Sequence, residues 1–350
     1  MDLRAAFDEL EVDGLLTFHP PNRRYLSGFT GTAGYVLITA DEVVFITDSR
    51  YVEQARQQAA LLEVVQHGDD FWETFNEQIR RAGVKRLGFE QEHVSVGWLR
   101  RAREHAEAIE WVATEGVVER LRLIKDDDEI AAIARAQALT EQVLAEVLPM
   151  VRPGVREIDL AVELEFRMRR RGASGAAFDF IVASGPRSAL PHGVASDRMI
   201  ERGDLVTFDI GCVVGGYCSD LTRTVVVGEP DARQREIHDL VLKAQEAGLA
   251  AIRPGRTGRE VDAAAREVIA AAGYGDHFGH GLGHGVGLEV HEDPRLSRRG
   301  DTTLQPGMVV TVEPGIYIPG WGGVRIEDVV VVRRDGFENL TAMGKGLVFS

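Results

Sequence analysis

The sequence contains few cysteines and no long apolar run. Cys212 and Cys218 are the only cysteines among 350 residues, and in the hairpin predicted below they lie on opposite faces, which argues against a disulfide between them. No segment approaches the roughly 20 apolar residues of a membrane-spanning helix. The first 14 residues carry charges where a signal peptide has an apolar core. We therefore predict a cytoplasmic protein with no membrane partner.

Positive charge is also scarce. The chain carries 40 lysines and arginines against 55 aspartates and glutamates, a formal net charge of -15. Because no basic stripe offsets this balance, the composition argues against a nucleic-acid partner. With 44% hydrophobic and 27% charged residues, the chain has the composition of a soluble globular protein and is long enough for two domains.

Helix-like and strand-like segments alternate through the first 120 residues or so. Residues 34–39 and 43–47 are predicted to form a strand pair that turns at residues 40–42. A helix that extends to Gln58 is predicted to follow, with Asp48 or Ser49 as its N-cap. The segment shows no cluster of metal-binding or nucleophilic residues. This pattern predicts a small α/β domain whose role is a lid, a subunit contact or purely structural.

A charged segment at residues 121–129 separates this region from the rest of the chain. Its aspartates at 126–128 are suited to cap a long helix, which is predicted from Glu129 to about Leu148. We therefore predict one domain at residues 1–120 and a second at residues 121–350.

The second domain contains an internal repeat. The motif Val-Arg-Pro-Gly at residues 151–154 recurs as Ile-Arg-Pro-Gly at residues 252–255, and each copy is followed by an Arg-Glu-x-Asp motif, a helix-like segment and a glycine. The two Arg-Glu-x-Asp motifs match only if the second copy has an insertion of two residues. The repeat predicts two αβ halves related by duplication, with a site between them.

The most informative stretch runs from Phe208 to Thr224. Gly215-Gly216 is a turn signal between two β-branched runs, because tight hairpin turns require positive φ angles. If these glycines form the loop, strand alternation places Asp209 and Asp220 on the same face, diagonally across the strand pair. Carboxylates that close repel each other unless a cation lies between them. The stretch therefore indicates either a metal site or a hairpin with two solvated aspartates.

Three histidines and two further acids lie downstream. His280, His284 and His291 occur in a segment with glycine at five alternate positions, which disfavours a helix and lets the backbone approach a ligand closely. Glu313 and Glu327 occur in strand-like apolar segments, where a charge is rarely kept unless it is paired or binds metal. Both observations favour functional over structural roles.

Five of these side chains have the composition of a dinuclear metal centre. One imidazole and four carboxylates carry too much negative charge for a structural zinc site, but they match a two-metal hydrolytic centre with bridging carboxylates. Ligands that are mostly oxygen favour Mn²⁺, with Co²⁺ and Zn²⁺ as alternatives. The predicted ligands are Asp209, Asp220, His284, Glu313 and Glu327.

The order and local context of these ligands resemble those of the pita-bread metallopeptidases, which include methionine aminopeptidase, aminopeptidase P and prolidase. The resemblance covers essentially the whole chain. It implies an α/β (α+β) fold in which a smaller creatinase-like domain precedes a duplicated pita-bread catalytic domain, and it implies a homodimer. A methionine aminopeptidase usually lacks such an N-terminal domain, and creatinase and the non-catalytic members lack the five ligands. The resemblance therefore points to the Xaa-Pro peptidases.

The resemblance also assigns roles to residues around the predicted metals. It implies that His192 contacts the substrate near the scissile bond, that His291 steadies the tetrahedral intermediate and that His280 lines the substrate pocket. Glu313 is expected to act as a proton shuttle as well as a ligand. These roles describe a peptidase in which two metals activate a water molecule.

Tyr317 and Arg325 resemble residues that hold the metal ligands and the bound hydroxide in place. For Arg325 an ordinary ion pair with a carboxylate is a compatible alternative. An Xaa-Pro bond has no amide hydrogen, so the pocket must recognise the proline ring by shape. Its predicted aromatic walls are Phe178, Phe180, Tyr317 and Trp321, with core packing as the alternative for the two phenylalanines.

The sequence leaves the length of the substrate open. A prolidase must hold the carboxylate of a dipeptide, for which Arg295 is a candidate, although a solvated surface arginine is an alternative. An aminopeptidase P leaves its pocket open to longer peptides. We expect an aminopeptidase P-type enzyme that cleaves Xaa-Pro bonds at peptide N-termini. The alternatives are an Xaa-Pro dipeptidase and a pita-bread module that binds peptides without turnover.

Overall fold

The computed structural model describes residue 3 and residues 5–348. The chain divides into two compact units, with residues up to Arg122 in the first and residues from Leu123 onward in the second. Each unit has its own hydrophobic cores. In the described part of the chain, no helix is both long enough and apolar enough to cross a membrane.

The first unit is built on a six-stranded sheet. The strands follow the order β4-β3-β2-β1-β5-β6, in which β2 runs antiparallel to β1 and β3 while the other neighbours are parallel. The strands are β1 (Gly14–Thr17), β2 (Tyr35–Thr39), β3 (Val43–Thr47), β4 (Glu63–Gln66), β5 (Arg86–Glu90) and β6 (Glu110–Thr114). The helices are α1 (Ala5–Leu10), α2 (Pro20–Ser27), α3 (Val52–Gln58), α4 (Phe71–Ala82), α5 (Val96–His105) and α6 (Val117–Arg122).

Both faces of this sheet are buried. On β1, Leu16 packs into one core with Phe75 of α4, whereas the adjacent Leu15 packs into a second core with Phe29. Successive residues of a strand point to opposite faces, so consecutive apolar residues require an apolar layer on each side. The unit is therefore a three-layer α/β domain.

The predicted strand pair is confirmed, but the predicted helix cap is wrong. β2 and β3 pair antiparallel on either side of the turn at residues 40–42. α3 begins at Val52 with Tyr51 at the N-cap position and no side-chain cap. The Asp48 carboxylate instead accepts hydrogen bonds from the backbone N–H and the guanidinium of Arg50, at 2.8–3.0 Å. Asp48 therefore stabilises the turn that precedes the helix.

The first unit also contradicts the expectation that it lacks a cluster of metal-binding residues. His19, His93 and Glu119 place potential ligand atoms within 4.8 Å of one another. The three residues lie far apart in the sequence, and only the fold brings them together.

In its described part, the second unit combines four helices with thirteen strands. The helices are α7 (Asp127–Val147), α8 (Glu157–Arg170), α9 (Ala232–Ala251) and α10 (Gly258–Ala271). The strands are β7 (Gly175–Ala176), β8 (Ile181–Ser184), β9 (Leu205–Ile210), β10 (Cys212–Val214), β11 (Tyr217–Cys218), β12 (Leu221–Val226), β13 (Gly283–Gly285), β14 (Glu292–Leu296), β15 (Val309–Val312), β16 (Gly315–Ile318), β17 (Gly322–Arg325), β18 (Asp328–Arg333) and β19 (Gly336–Asn339).

Each half of the second unit packs a pair of helices on its own sheet. The first half contains the sheets β11-β10-β7 and β12-β9-β8, and the second contains β14-β13-β15-β18-β19 and the pair β16-β17. Apolar residues of α7 and α8 share a core with β9 and β12. Those of α9 and α10 share a core with β15 and β18. Both cysteines are buried free thiols in the first half.

The internal repeat is present, but its register differs from the prediction. α8 and α10 each contain 14 residues, and each begins at the third residue after a glycine, Gly154 or Gly255, with a φ of +87°. The N–H of Gly154 donates to the carbonyl of Ile200 at 2.9 Å, and that of Gly255 donates to Leu304 at 3.0 Å. The copies therefore align without the predicted insertion. The Arg-Glu-x-Asp motifs are not equivalent, because the glycine turn sets where each helix begins.

The start of α7 confirms the predicted cap. The Asp126 carboxylate accepts a hydrogen bond from the backbone N–H of Glu129, and the Glu129 carboxylate accepts one from the N–H of Asp126, both at 2.9 Å. This reciprocal arrangement is a capping box, which satisfies N–H groups that have no partner within the helix.

Replacing Asp126 with alanine should destabilise the second unit by about 1 kcal/mol, because α7 loses its cap. Urea denaturation followed by circular dichroism measures this loss. Asp127→Ala is the matched control, since it removes an equally exposed carboxylate from the first turn and leaves the cap in place. Its cost should stay below about 0.5 kcal/mol. Equal losses in the two variants would contradict the assignment of the cap.

Candidate metal centre and active site

A cavity of about 470 Å³ in the second unit contains most of the predicted site residues. Its lining includes His192, Asp209, Asp220, His280, His284, His291, Arg295, Glu313 and Arg325. Glu327 and Tyr317 are buried, with 1% and 7% of their surface exposed, and lie next to this lining. The predicted site residues therefore come from both halves of the repeat and meet in one place.

The central hairpin has the predicted turn and register. Val214 pairs with Tyr217 around Gly215-Gly216, whose φ angles are +60° and +91°. The same register continues into β9 and β12, where Asp209 lies opposite Thr222. Because the register is unbroken, Asp220 lies diagonally across from Asp209 as expected.

The hairpin passes from one sheet to another at Gly211. A Cβ atom at this position would lie 2.1 Å from the carbonyl oxygen of Ser219 on the opposite strand. Only glycine permits this approach. The close approach occurs beside Asp220, whose carboxylate lines the cavity.

Three acids form the tightest group in the cavity. Ligand oxygens of Asp209, Asp220 and Glu327 lie within 4.8 Å of one another. Glu327, which immediately precedes β18, accepts a hydrogen bond on Oε2 from the Thr222 hydroxyl at 2.7 Å. Its Oε1 is buried and has no hydrogen-bond partner among the described residues. A buried carboxylate oxygen without a protein donor requires another positive partner, and a metal ion meets this requirement.

His284 completes the group from the second half. Its Nδ1 lies 3.0 Å from its neighbour's carbonyl, that of Gly285, so an Nδ1–H can donate there. Its Nε2 lies 3.3 Å from Oε1 of Glu313 and 3.6 Å from Oδ2 of Asp220. With the proton on Nδ1, the Nε2 lone pair points to the acids, which is the form in which imidazole binds a metal.

Burial and mutual repulsion raise the pKa of most of these acids. Burial raises the pKa of Asp220, and the charges of Glu327 and Asp209 raise it further. Burial and the charges of Glu313 and Asp209 raise the pKa of Glu327 in the same way. Burial also raises the pKa of Asp209, although Arg325 opposes it. Without a bound cation the cluster therefore retains protons, which metal ions would replace.

Glu313 differs from the other three acids. Burial raises its pKa, but when His284 is protonated its hydrogen bond and charge outweigh burial and bring the pKa to about 2. Its Oε1 also accepts a hydrogen bond from the Thr311 hydroxyl at 3.2 Å. Beside a protonated His284, Glu313 is therefore a carboxylate at neutral pH.

Arg325 is a buried cation beside the acids. Its Nη2 donates to Oδ2 of Asp209 at 2.5 Å, its Nη1 to the Tyr317 hydroxyl at 2.7 Å and its Nε to the Thr222 hydroxyl at 3.0 Å. The Tyr317 hydroxyl lies 2.9 Å from Nε2 of His280. Burial raises the pKa of Tyr317 to about 12 and lowers that of His280. The neutral tyrosine can thus donate to the neutral histidine, which extends the network from Asp209 to His280.

The two remaining predicted histidines also line the cavity. The ring centroids of His291 and His284 lie 4.4 Å apart. Partial burial and the charge of His284 lower the pKa of His291 to about 4. His291 is therefore neutral at neutral pH and can act as a hydrogen-bond donor. His192 follows Pro191, whose carbonyl accepts a hydrogen bond from Arg325 at 3.3 Å.

The residues fit divalent metal ions. Four carboxylates and one imidazole converge on one cavity, three of the acids have raised pKa values, and a buried glutamate oxygen has no described protein donor. Such oxygen-rich donor sets bind divalent cations.

Not all of the predicted aromatic walls face the cavity. Phe178 belongs to its lining. Phe180 packs into the core of the first half. Trp321 packs against the core of the second half, with the guanidinium of Arg233 4.6 Å from its ring. Sequence position alone does not tell which side of a loop an aromatic ring occupies.

Two threonines at the site were not predicted. Thr222 bonds both Glu327 and Arg325, and Thr311 bonds Glu313. Each lies two residues from a predicted ligand, Asp220 or Glu313. The period of two in a strand places such residues on the same face, and this signal could have identified them.

Known proteins with similar sequences define the family. Residues 131–334 match metallopeptidase family M24, and residues 2–124 match the creatinase/prolidase N-terminal domain. The chain therefore belongs to metallopeptidase family M24. The predicted family, the two-part α/β fold and the assignment as a metallopeptidase are confirmed.

Individual relatives and solved structures are similar to this chain over nearly its whole length. The chain is 49% identical to an uncharacterized peptidase of Bacillus subtilis, over 99% of this chain and 98% of that protein. It is 40% identical to an Xaa-Pro dipeptidase of Pyrococcus horikoshii, over 97% and 96%. Among solved structures, an Xaa-Pro dipeptidase from Bacillus anthracis has a TM-score of 0.96 at 51% identity, covering 99% and 97% of the two chains. An X-Pro aminopeptidase from Thermotoga maritima has a TM-score of 0.92 at 40% identity, covering 98% and 99%.

The metal-free protein should lose stability as the pH rises, and Asp220→Asn should reduce this loss. Because the folded state raises the pKa of Asp220, it binds more protons than the unfolded state above the ordinary carboxyl pKa of about 4. This contribution to stability is present below that pKa and disappears as the pH rises through the folded-state value.

Melting temperatures of metal-stripped protein at about pH 5 and about pH 8 test this expectation. Relative to wild type, Asp220→Asn should gain stability at the higher pH. Asp335→Asn, which changes an exposed aspartate, is the control and should follow wild type. A difference between wild type and Asp220→Asn that is the same at both pH values would contradict the expectation.

Proposed function

We propose that the chain is an Xaa-Pro dipeptidase, a prolidase that hydrolyses dipeptides with two divalent metal ions. This proposal replaces the expectation of an aminopeptidase P-type enzyme, because four relatives named dipeptidase or prolidase match 97–99% of the chain at 40–51% identity. An X-Pro aminopeptidase from Thermotoga maritima is also similar to this chain. Cleavage of longer peptides is therefore the second candidate function.

The observation that carries the proposal is a second cation in the wall of the same cavity. Arg295 and Arg325 both line it, but Arg325 is committed to Asp209 and Tyr317. The side chain of Arg295 is 51% exposed, and its ion pair with Asp293 is long at 3.9 Å. Its guanidinium is therefore available for the carboxylate of a C-terminal proline, which a dipeptide places next to the scissile bond.

The metal ligands would be Asp209, Asp220, His284, Glu313 and Glu327. Two divalent ions bound there would lower the pKa of a water molecule and polarise the peptide carbonyl. The oxygen-rich ligand set supports Mn²⁺, with Co²⁺ or Zn²⁺ as alternatives. Glu313 is the proposed proton shuttle, because it lines the cavity beside His284 and its carboxylate can accept a proton from the attacking water.

His192 and His291 would act on the carbonyl oxygen. Both line the cavity, and His291 is neutral, so it can donate a hydrogen bond to the charge that develops in the transition state. A donor of this kind contributes on the order of 3 kcal/mol. Phe178 offers an apolar surface for the proline ring in the same lining.

A hydrogen-bond network would hold the proposed metal ligands in position. It consists of His280, Tyr317 and Arg325. Their hydrogen bonds orient the Asp209 carboxylate, and His280 also reaches the cavity. Tyr317 and Arg325 would therefore act mainly by positioning metal ligands, and less by binding substrate. Their burial supports this distinction.

We also propose that the protein is a homodimer, that it is cytoplasmic and that its domains lie at residues 1–120 and 121–350. The division into compact units after Arg122 supports the boundary. The alternative of a binding module without turnover is opposed by the intact ligand set, and it predicts bound metal without peptidase activity.

His291→Ala should lower kcat for an Xaa-Pro dipeptide by about 10²- to 10³-fold, because the transition state loses a hydrogen-bond donor. Its metal content should stay at the wild-type value. Steady-state kinetics and metal analysis of the same preparation measure both quantities. Asp220→Asn is the contrasting variant, since it should lose metal and activity together. Loss of metal in His291→Ala would instead make His291 a metal ligand.

Arg295→Ala should raise KM for Xaa-Pro dipeptides by about 10- to 100-fold, because it removes a charge-assisted bond to the proline carboxylate. Arg299→Ala is the matched control, since it removes an exposed arginine outside the cavity lining and should leave KM unchanged. Wild type should cleave Xaa-Pro dipeptides in preference to Xaa-Pro-Yaa tripeptides. Efficient cleavage of tripeptides without cleavage of dipeptides would support the aminopeptidase instead.

A further inference from the structure

Three potential metal ligands meet in the first unit, far from one another in the sequence. His19 immediately precedes α2, His93 lies in the turn after β5, and Glu119 lies on α6. One ligand atom from each lies within 4.8 Å of the other two. In the described part of the chain, the other trio with this spacing is the group of three acids in the catalytic cavity. The spacing that marks the candidate metal centre therefore also occurs in the first unit.

The distances suit a small transition-metal ion. Nε2 of His93 lies 3.4 Å from Oε1 of Glu119. Two ligand atoms that bind one zinc ion tetrahedrally, each at about 2.1 Å, are about 3.4 Å apart. The side chains of His93 and Glu119 are 29% and 35% exposed, so an ion can reach them from solvent.

The third ligand requires a side-chain rotation. The rings of His19 and His93 stack in parallel, with centroids 3.4 Å apart and an interplanar angle of 4°. Parallel rings cannot both direct a lone pair at an ion between them, so one ring must turn about χ2. This torsion has broad energy wells, but rings stacked 3.4 Å apart must first separate through χ1 before one of them can turn. Binding of an ion would therefore replace ring stacking with coordination.

A buried carboxylate holds the segments that carry two of the ligands. Oε2 of Glu90, at the end of β5, accepts the backbone N–H of His19 at 3.0 Å. Its Oε1 accepts the Asn22 side-chain amide at 2.8 Å, and the same amide nitrogen donates to Oε1 of Glu119 at 2.5 Å. The Asn22 oxygen accepts a hydrogen bond from Arg122 at 2.6 Å. Such outer hydrogen bonds are typical supports of metal ligands.

The protonation states are compatible with binding. Burial and the charge of His93 lower the pKa of His19 to about 4, so its imidazole is neutral at neutral pH. Burial raises the pKa of Glu119, but the hydrogen bond from Asn22 and other nearby groups bring it below its ordinary value. Arg23 and Arg122 are nearby cations, and the carboxylates of Glu90 and Glu119 offset them.

We propose that His19, His93 and Glu119 bind one divalent transition-metal ion of the zinc class. Two imidazoles and one carboxylate favour Zn²⁺ over Mn²⁺, Mg²⁺ or Ca²⁺, which prefer oxygen ligands. A solvent molecule would occupy the fourth position. The ion would link the start of α2, the turn after β5 and α6, and would stabilise the first unit because it binds only the folded arrangement.

Zinc stoichiometry of the full-length protein tests the proposal. Metal-stripped wild type, His93→Ala, Glu119→Gln and the control His105→Ala are dialysed to equilibrium against the same free Zn²⁺ concentration, and bound zinc is measured per folded chain. His105 is an exposed histidine in the same unit. We expect about one zinc ion fewer per chain in both ligand variants and no change in the control. Equal zinc content in wild type and both ligand variants overturns the proposal.

A second variant background distinguishes zinc bound at this site from zinc bound in the catalytic cavity. The same comparison is made in chains that carry Asp220→Asn, in which the catalytic cavity is impaired. The difference of about one zinc ion should persist, and Zn²⁺ should raise the melting temperature of Asp220→Asn more than that of Asp220→Asn/His93→Ala. A difference that disappears in the Asp220→Asn background overturns the proposal, because it places the lost ion in the catalytic cavity.

Discussion

Electrostatic repulsion among four carboxylates is the main constraint on the structure of the second unit. Asp209, Asp220 and Glu313 line one cavity and Glu327 lies beside it, where burial removes most of the water that would stabilise their charges. Each carboxylate must gain a proton, a hydrogen bond or a cation. Arg325 and His284 supply part of the positive charge, and metal ions would supply the rest. Bound metal ions would thus allow these acids to remain buried as carboxylates.

The surrounding fold keeps the acids together against this repulsion. Arg223, which is 1% exposed, donates to the backbone carbonyls of Thr222 and Glu327 and pairs with Asp328 at 2.9 Å. Asp328 also accepts a hydrogen bond from Gln245 at 3.1 Å. These contacts of Arg223 and Asp328 fix the backbone at Thr222 and Glu327. The two halves of the repeat are therefore joined through polar contacts, and bound metal ions would add a further link.

Several features follow from short-range signals in the sequence. Gly215-Gly216 can adopt the positive φ angles of a tight turn, and this turn sets the register that brings Asp209 and Asp220 together. Asp126 and Glu129 form a capping box through contacts three residues apart. These interactions depend on neighbouring residues, so the sequence is sufficient to predict them. The proposed ligands were predicted from residue type and context, because an acid in an apolar strand needs a partner wherever that strand packs.

Other features depend on contacts between distant segments. Three examples are the pairing of Arg325 with Asp209, the packing of Trp321 against a core and the meeting of His19 with His93. They join residues that no short-range signal connects. Even the two copies of the repeat align by the glycine turns of their Arg-Pro-Gly motifs, which leaves the Arg-Glu-x-Asp motifs out of register. Local conformational preference and strand alternation could thus be predicted from the chain alone. Which side chains share a cavity is decided by packing, because it depends on how whole helices and strands are placed against one another.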